Sequence, residues 1–132
     1  MTIVDSSVWV DYLRGTSTPQ TDWLNDRLVQ RVIGITDLIL CEVSQGIREE
    51  TQFSKTRNRL FTLPLFSNGG RDLTLAAVAN YRTLRARGWT VKTIDCLIAT
   101  LCIVNGHRLL HNDHDYDVFE KELGLAVVHP DR

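Results

Sequence analysis

The chain has 132 residues, enough for one domain with a substantial core. Apolar residues make up 43% and charged residues 23%, an ordinary globular balance that excludes disorder. Fifteen basic against sixteen acidic residues leave a net charge of -1, so any attraction to nucleic acid must come from a local basic patch.

The three cysteines, Cys41, Cys96 and Cys102, are odd in number and lack CxxC spacing. That argues against a disulfide scaffold or a zinc knuckle and reads as small core residues in a reducing compartment. No basic-then-apolar leader precedes the first strand, and the longest apolar run, residues 96–104, falls far short of the ~20 residues that span a bilayer. The expectation is a soluble cytoplasmic protein without membrane contact, with residues 1–132 as one domain.

In chain order, residues 2–4 are β-branched and run straight into Asp5. A small-residue turn opens a short helix over 8–13, which Gly15 and the following Thr/Ser/Pro cluster end. Pro19 starts a helix reaching about residue 30, and residues 31–35 form a short strand. Thr36 or Asp37 caps a helix through Glu42 that closes near Gly46. Residues 49–60 read as a polar surface helix, 63–66 as a third strand, and 71–87 as a helix with Leu73, Ala76, Ala77, Tyr81 and Leu84 at helical spacing. Residues 93–104 are apolar on every side and belong in the interior. Residues 108–111 form a strand, 112–115 a polar loop, Tyr116, Phe119 and Leu123 mark a last helix, and 126–129 form a final strand. Strands alternate with helices throughout, the pattern of an α/β fold whose parallel sheet is covered on both faces.

Four acids sit at strand ends or on apolar helices. Asp5 and Asp113 each follow a strand, where ligands of open α/β sheets bind. Asp95 and Glu42 lie on strongly apolar helices. Each has a local explanation: helix capping for Asp95, turn chemistry for Asp113 and Asp115, and a solvent-reaching helix edge for Glu42. Brought together, they have none, because two like charges ~4 Å apart repel by about 4 kcal/mol at an effective dielectric near 20. Such a cluster calls for a cation, and an all-oxygen donor set suits hard Mg²⁺ or Mn²⁺.

These residues carry a family resemblance. Asp5-Ser6-Ser7-Val8-Trp9-Val10-Asp11, Glu42, Thr93-Ile94-Asp95-Cys96-Leu97-Ile98-Ala99 and His111-Asn112-Asp113-His114-Asp115-Tyr116 resemble, in order, the four motifs of a PIN-domain ribonuclease of the VapC toxin type. The resemblance implies an α/β/α sandwich on a central parallel sheet and a Mg²⁺-dependent endoribonuclease (Mn²⁺ serving as well). Its catalytic acids would be Asp5, Glu42, Asp95 and Asp113. The ion would be held by Asp5, Asp95 and Asp113, with Asp115 as an added ligand or a supporting acid. Ser6, Ser7 and Thr93 would support the site, one of the serines by hydrogen bonding a ligating carboxylate. The resemblance also implies a toxin acting on structured RNA such as tRNA or rRNA, inhibiting translation and growth until a VapB-type antitoxin binds it, and forming a homodimer and a toxin–antitoxin hetero-oligomer. His111 and His114 flank the fourth acid, but the interspersed carboxylates argue against zinc.

Arg82, Arg85, Arg87 and Lys92 form the densest basic stretch and the candidate RNA-contacting rim; cations at a helix C-terminus are the plainer account. Lys55, Arg57 and Arg59 read as a polar helix face. Trp9, Tyr12, Trp23 and Phe53 are core residues or, if exposed, a groove for an antitoxin segment or dimer contact. Two rival functions fit less well. A small-phosphate metal phosphohydrolase would have a second aspartate in the turn after Asp5. A non-enzymatic α/β regulatory domain with a phosphoacceptor needs an aspartate ending the third strand, where Leu63-Pro64-Leu65-Phe66-Ser67 supplies none.

Overall fold

The computed structural model describes residues 1–131. Strand β1 (Thr2–Val4) is buried along its whole length, as is β2 (Ile33–Thr36). Strands β3 (Leu65–Phe66) and β4 (Arg108–Leu110) complete a four-stranded sheet of order β3-β2-β1-β4, with every pairing parallel. Full burial of the central strands is what a parallel sheet covered on both faces requires. Helices α1 (Ser6–Leu13), α2 (Pro19–Arg27), α3 (Asp37–Gln45), α4 (Glu50–Leu60), α5 (Arg71–Ala86), α6 (Thr93–Asn105) and α7 (Asp117–Leu123) flank it. This is the α/β/α layering expected. Among the described residues no helix is long and apolar enough to cross a membrane.

Several boundaries differ from expectation. The first helix begins two residues early because the Asp5 side chain caps it. The helix from Pro19 tightens to a 3-10 turn over Leu28–Gln30, and Arg31, at φ 57, ends it and delays β2 to Ile33. The final strand is reduced to one parallel bridge, Leu109 to Val127, before Pro130 turns the chain away. Of the cysteines only Cys96 and Cys102 are core; Cys41 is exposed. Ile39 and Val43 form the buried stripe of α3, and Cys41 lies off it. The apolar α6 is buried at Cys96 and from Ile98 through Cys102, with Leu97 half-buried between them, although Ile94 and Val104 at its ends reach solvent.

Gly34 in β2 lets the sheet accept Phe66. A Cβ there would stand 2.7 Å from the Phe66 ring and 3.3 Å from Ile3 Cδ1. Gly106, at φ 70, supplies the left-handed cap that turns α6 into β4.

Topology fixes the site. The chain lays β2 and β3 on one side of β1 and then returns β4 to the other, so the order reverses between β1 and β4. In such sheets the ligand crevice lies beyond the carboxyl ends of the strands at that switch point. The ladder continues one residue further there, Asp5 N–H donating to the Leu110 carbonyl at 2.9 Å. Helices α5 and α6 run side by side in the same sense: Cys96 Sγ donates to the Ala77 carbonyl at 3.4 Å, and one turn on Asn80 Nδ2 donates to Thr100 Oγ1 at 3.0 Å. Residues 87–92 then travel back along α7, from Glu122 beside Arg87 to Asp115 beside Lys92.

Candidate metal centre

Beyond β1, Asp5 is only 3% exposed. Its Oδ2 accepts the Ser7 N–H at 3.0 Å, which caps α1, and its Oδ1 accepts the Tyr116 hydroxyl at 2.9 Å. The Tyr116 phenol is pushed well above its ordinary value by burial first and by Asp5 and Asp95 next, so it stays a donor. Tyr116 closes a single 3-10 turn, His114–Tyr116, started by Asp113. That turn presents Asp113, Asp115 and the hydroxyl that holds Asp5. Asp113 Oδ1 accepts the Asp115 N–H at 2.9 Å, and the Ser7 hydroxyl accepts the Asn112 N–H at 3.1 Å, tying the loop to α1.

Glu42 arrives from α3, Ser6 Oγ donating to its Oε1 at 3.3 Å. Burial raises its carboxyl, with Asp5 and Asp113 adding to the rise and Ser6 opposing it. Asp95, in the first turn of α6, is raised further, to about 6, by burial, then by Asp5 and Asp113. Its Oδ2 is buried with no hydrogen-bond partner among the described residues.

Asp5, Glu42, Asp95 and Asp113 line one cleft of about 470 Å³ with Ser6, Ser7, Lys92 and Thr93. Asp95, Asp113 and Asp115 each offer an oxygen within 4.8 Å of the others. Asp5 lies outside that tight group, its two oxygens already engaged. Five carboxylates thus face one ammonium, Lys92 Nζ, which pairs with Asp115 Oδ2 at 2.9 Å. An orphaned buried carboxylate oxygen, a carboxyl pushed toward neutrality and an all-oxygen donor set fit a hard divalent cation. Asp95, Asp113 and Asp115 could hold it directly.

The other expected residues take different parts. Of the two serines, the Ser6 side chain reaches a cleft carboxylate, while Ser7 reaches Asp5 by its backbone N–H and uses its hydroxyl on the loop. Thr93 lines the cleft without bonding a carboxylate. Of the four basic residues expected to form an RNA-contacting rim, Arg82, Arg85 and Arg87 are not among the residues that line the cleft. Arg85 lies eight residues past Ala77, about 12 Å further along the helix than the level of Cys96. Arg87 Nη1 is paired with Glu122 at 3.1 Å, and Arg85 stacks over Tyr81. Lys92 alone of the four stands at the cleft. Arg57 and Arg59 lie over the rings of Phe53 and Tyr12. Trp9 is buried, and Tyr12 and Trp23 pack partly against the core. Sequence gives Tyr116 as an apolar helix mark and as the end of the fourth motif, without a role for its hydroxyl; its position three residues after Asp113 is the available signal.

A parallel sheet with its crevice at the β1/β4 switch and acids gathered there defines an α/β protein with an acidic, cation-ready site. The family model for the PIN domain matches residues 2–122, and the chain belongs to that family. It is 31% identical over 131 residues to the protein named Ribonuclease VapC11 of Mycobacterium tuberculosis, an alignment covering 97% of this chain and 98% of the relative. Its fold is also that of VapBC2 from Rickettsia felis, solved bound to a DNA fragment from its promoter (TM-score 0.76, 19% identity, 96% of each chain). A DNA-bound VapBC from Salmonella typhimurium is similar in fold too (TM-score 0.77, 14% identity, 96% of each chain).

Proposed function

We propose that this chain is a metal-dependent endoribonuclease and the toxin half of a toxin–antitoxin pair, a single PIN unit over residues 1–132 working in the cytoplasm. The observation that carries the reading is the Asp95 carboxyl, raised to about 6 with one oxygen buried and unpaired among four neighbouring acids. A site with that much uncompensated charge is arranged for a cation. Mg²⁺, or Mn²⁺ in its place, would be held by Asp95, Asp113 and Asp115, with Asp5 and Glu42 beside it. When bound, the ion lowers the pKa of a coordinated water and offsets charge on the phosphodiester.

The chain's own residues supply the rest. Asp5, fixed from both sides by Ser7 and Tyr116, sets the shape of the site. Glu42, whose carboxyl is raised by burial and oriented by Ser6, is the group placed to take a proton from the attacking water. Lys92 is long, exposed and at the cleft mouth, the cation in reach of a substrate phosphate.

The substrate is RNA, with structured tRNA or rRNA the intended target and arrest of translation and growth the result. For the antitoxin, a groove of about 240 Å³ between α1, the Leu28–Gln30 turn and α4, lined by Trp9, Leu13, Leu28, Leu60 and Leu63, supports docking of an apolar helix. Exposed Leu75 and Val78 on α5 support self-association.

The test is purified protein with total RNA, in Mg²⁺ or in EDTA, with the cut ends mapped. Cleavage in Mg²⁺ alone is the expected result. Asp5→Asn should cleave at least ~100-fold more slowly, the scale of losing a key electrostatic group. Asp11→Asn, on α1 away from the cleft, should cleave as the wild type does. Equal behaviour of the two variants would refute the mechanism.

A further inference from the structure

A second cavity, of about 480 Å³, adjoins the metal cleft and shares Asp113 as its wall. It is as large as the cleft itself and lies at the same carboxyl edge of the sheet, beyond β4 and the Val127 bridge. Gln20, His111, Asn112, Glu120 and His129 line it. We propose that this cavity is a nucleobase subsite, receiving the base of the nucleotide next to the scissile phosphate. The proposal rests on the ribonuclease reading, and it adds which part of the RNA is read and by which residues.

The chemistry of the walls selects a base over a phosphate. Asp113, Asp117 and Glu120 place carboxylates around the cavity, which disfavours a phosphodiester and favours the amino and imino donors on a base edge. The walls are held in place. His129 Nε2 and Glu120 Oε2 are 2.8 Å apart, so that pair forms one rigid polar face. Asn112 has its backbone fixed by the Ser7 hydroxyl, the same serine whose N–H caps at Asp5. Among the described residues its side-chain amide and that of Gln20 are engaged by no hydrogen bond, leaving donors and acceptors for a ligand. His111 Nδ1 accepts the Asp113 N–H at 3.1 Å, and its ring packs on Tyr116 with centroids 5.1 Å apart. A base would therefore rest beside Asp113, the one residue that lines both this cavity and the metal cleft. Phosphate and base are then placed together, and specificity and chemistry are joined through Asp113.

The experiment uses the full chain carrying Asp5→Asn, so that RNA is bound without being cut. A random-sequence RNA pool is selected on it in Mn²⁺, and bound molecules are sequenced. Enrichment of one base at one position by about tenfold is expected, the discrimination of one good polar contact to a base edge. Adding Asn112→Ala and His129→Ala should erase that enrichment, while circular dichroism melting shows the protein folded and Mn²⁺ titration shows the centre intact. No enriched position, no RNA binding, or enrichment that survives both substitutions would overturn the subsite. Wild-type protein is then given the enriched RNA with Mn²⁺. Failure to cut it would overturn the ribonuclease reading itself, whatever the selection shows.

Discussion

Replacing Tyr116 by Phe removes one oxygen atom from the interior and leaves the ring in place. The hydroxyl lost is the donor to Asp5 Oδ1 at 2.9 Å, between a tyrosine 1% exposed and an aspartate 3% exposed. Water has no ready access to replace it. A hydrogen bond to a charged group contributes about 1.5–3 kcal/mol, and an acceptor left bare in the interior costs about as much. For a domain of this size each kcal/mol moves the melting temperature by roughly 3–5 °C, so a fall of about 5–10 °C is expected without metal. Freed from one anchor, Asp5 can turn, and loss of a partner behind a metal site typically weakens metal binding by about 10–100-fold. The assay is a Mn²⁺ titration by calorimetry, with thermal melting of the same samples. Tyr12→Phe is the control, since it removes an exposed hydroxyl bonded to Asn25 at 3.2 Å and should change stability by less than ~0.5 kcal/mol. A Tyr116→Phe protein that binds Mn²⁺ within twofold of wild type and melts within a degree of it would refute the idea that this hydroxyl positions Asp5.

Because burial and Asp5 raise the Asp95 carboxyl from 3.8 to about 6, the folded state binds its proton more tightly than the unfolded chain does. The associated stability is full below pH 4 and is lost as pH rises through 6, about 2 kcal/mol after discounting for partial exposure. Metal-free protein should therefore melt higher at pH 5 than at pH 7.5; Asp95→Asn should flatten that difference, and an unchanged slope in the variant would assign it to other groups. Lys92→Ala should lower the salt slope of RNA binding by about 0.7–0.9, whereas Arg87→Ala should leave it alone and cost at most ~1 kcal/mol through the lost Glu122 pair; a reversed ranking in salt-titrated binding would restore the arginine rim. Gly34→Ala should destabilise by about 1–3 kcal/mol as Phe66 is forced aside, with Mn²⁺ affinity unchanged; urea unfolding that shows no loss would mean the ring swings clear.

Local chemistry was legible from sequence wherever one element carried the information alone. A β-branched run ending in Asp5, an all-apolar helix opening at Asp95 and a strand leading to Asp113 can each be read from their own periodicity and caps. The acids could be suspected of meeting because strand ends share one edge of a parallel sheet. What sequence could not supply was direction in space. Lys92 and Arg87 are five residues apart, but the six residues 87–92 return along α7, and six extended residues can span about 20 Å. One cation therefore reaches the cleft while the other pairs with Glu122 at the far end of α7. Rotation about a helix decided the next points: Cys41 faces solvent one residue before Glu42 turns to Ser6. The last strand fell to a single bridge because it has a partner on one side only, at the edge of the sheet. Tyr116 is the clearest case. Its apolar ring marks it as core in any sequence, but its hydroxyl gains meaning only when a chain separation of 111 positions folds to bring Asp5 within 2.9 Å. Sequence determines which groups a chain possesses and the elements they sit on. Packing determines which of those groups lose water together, and it is shared desolvation that turns separate carboxyls into one charged site.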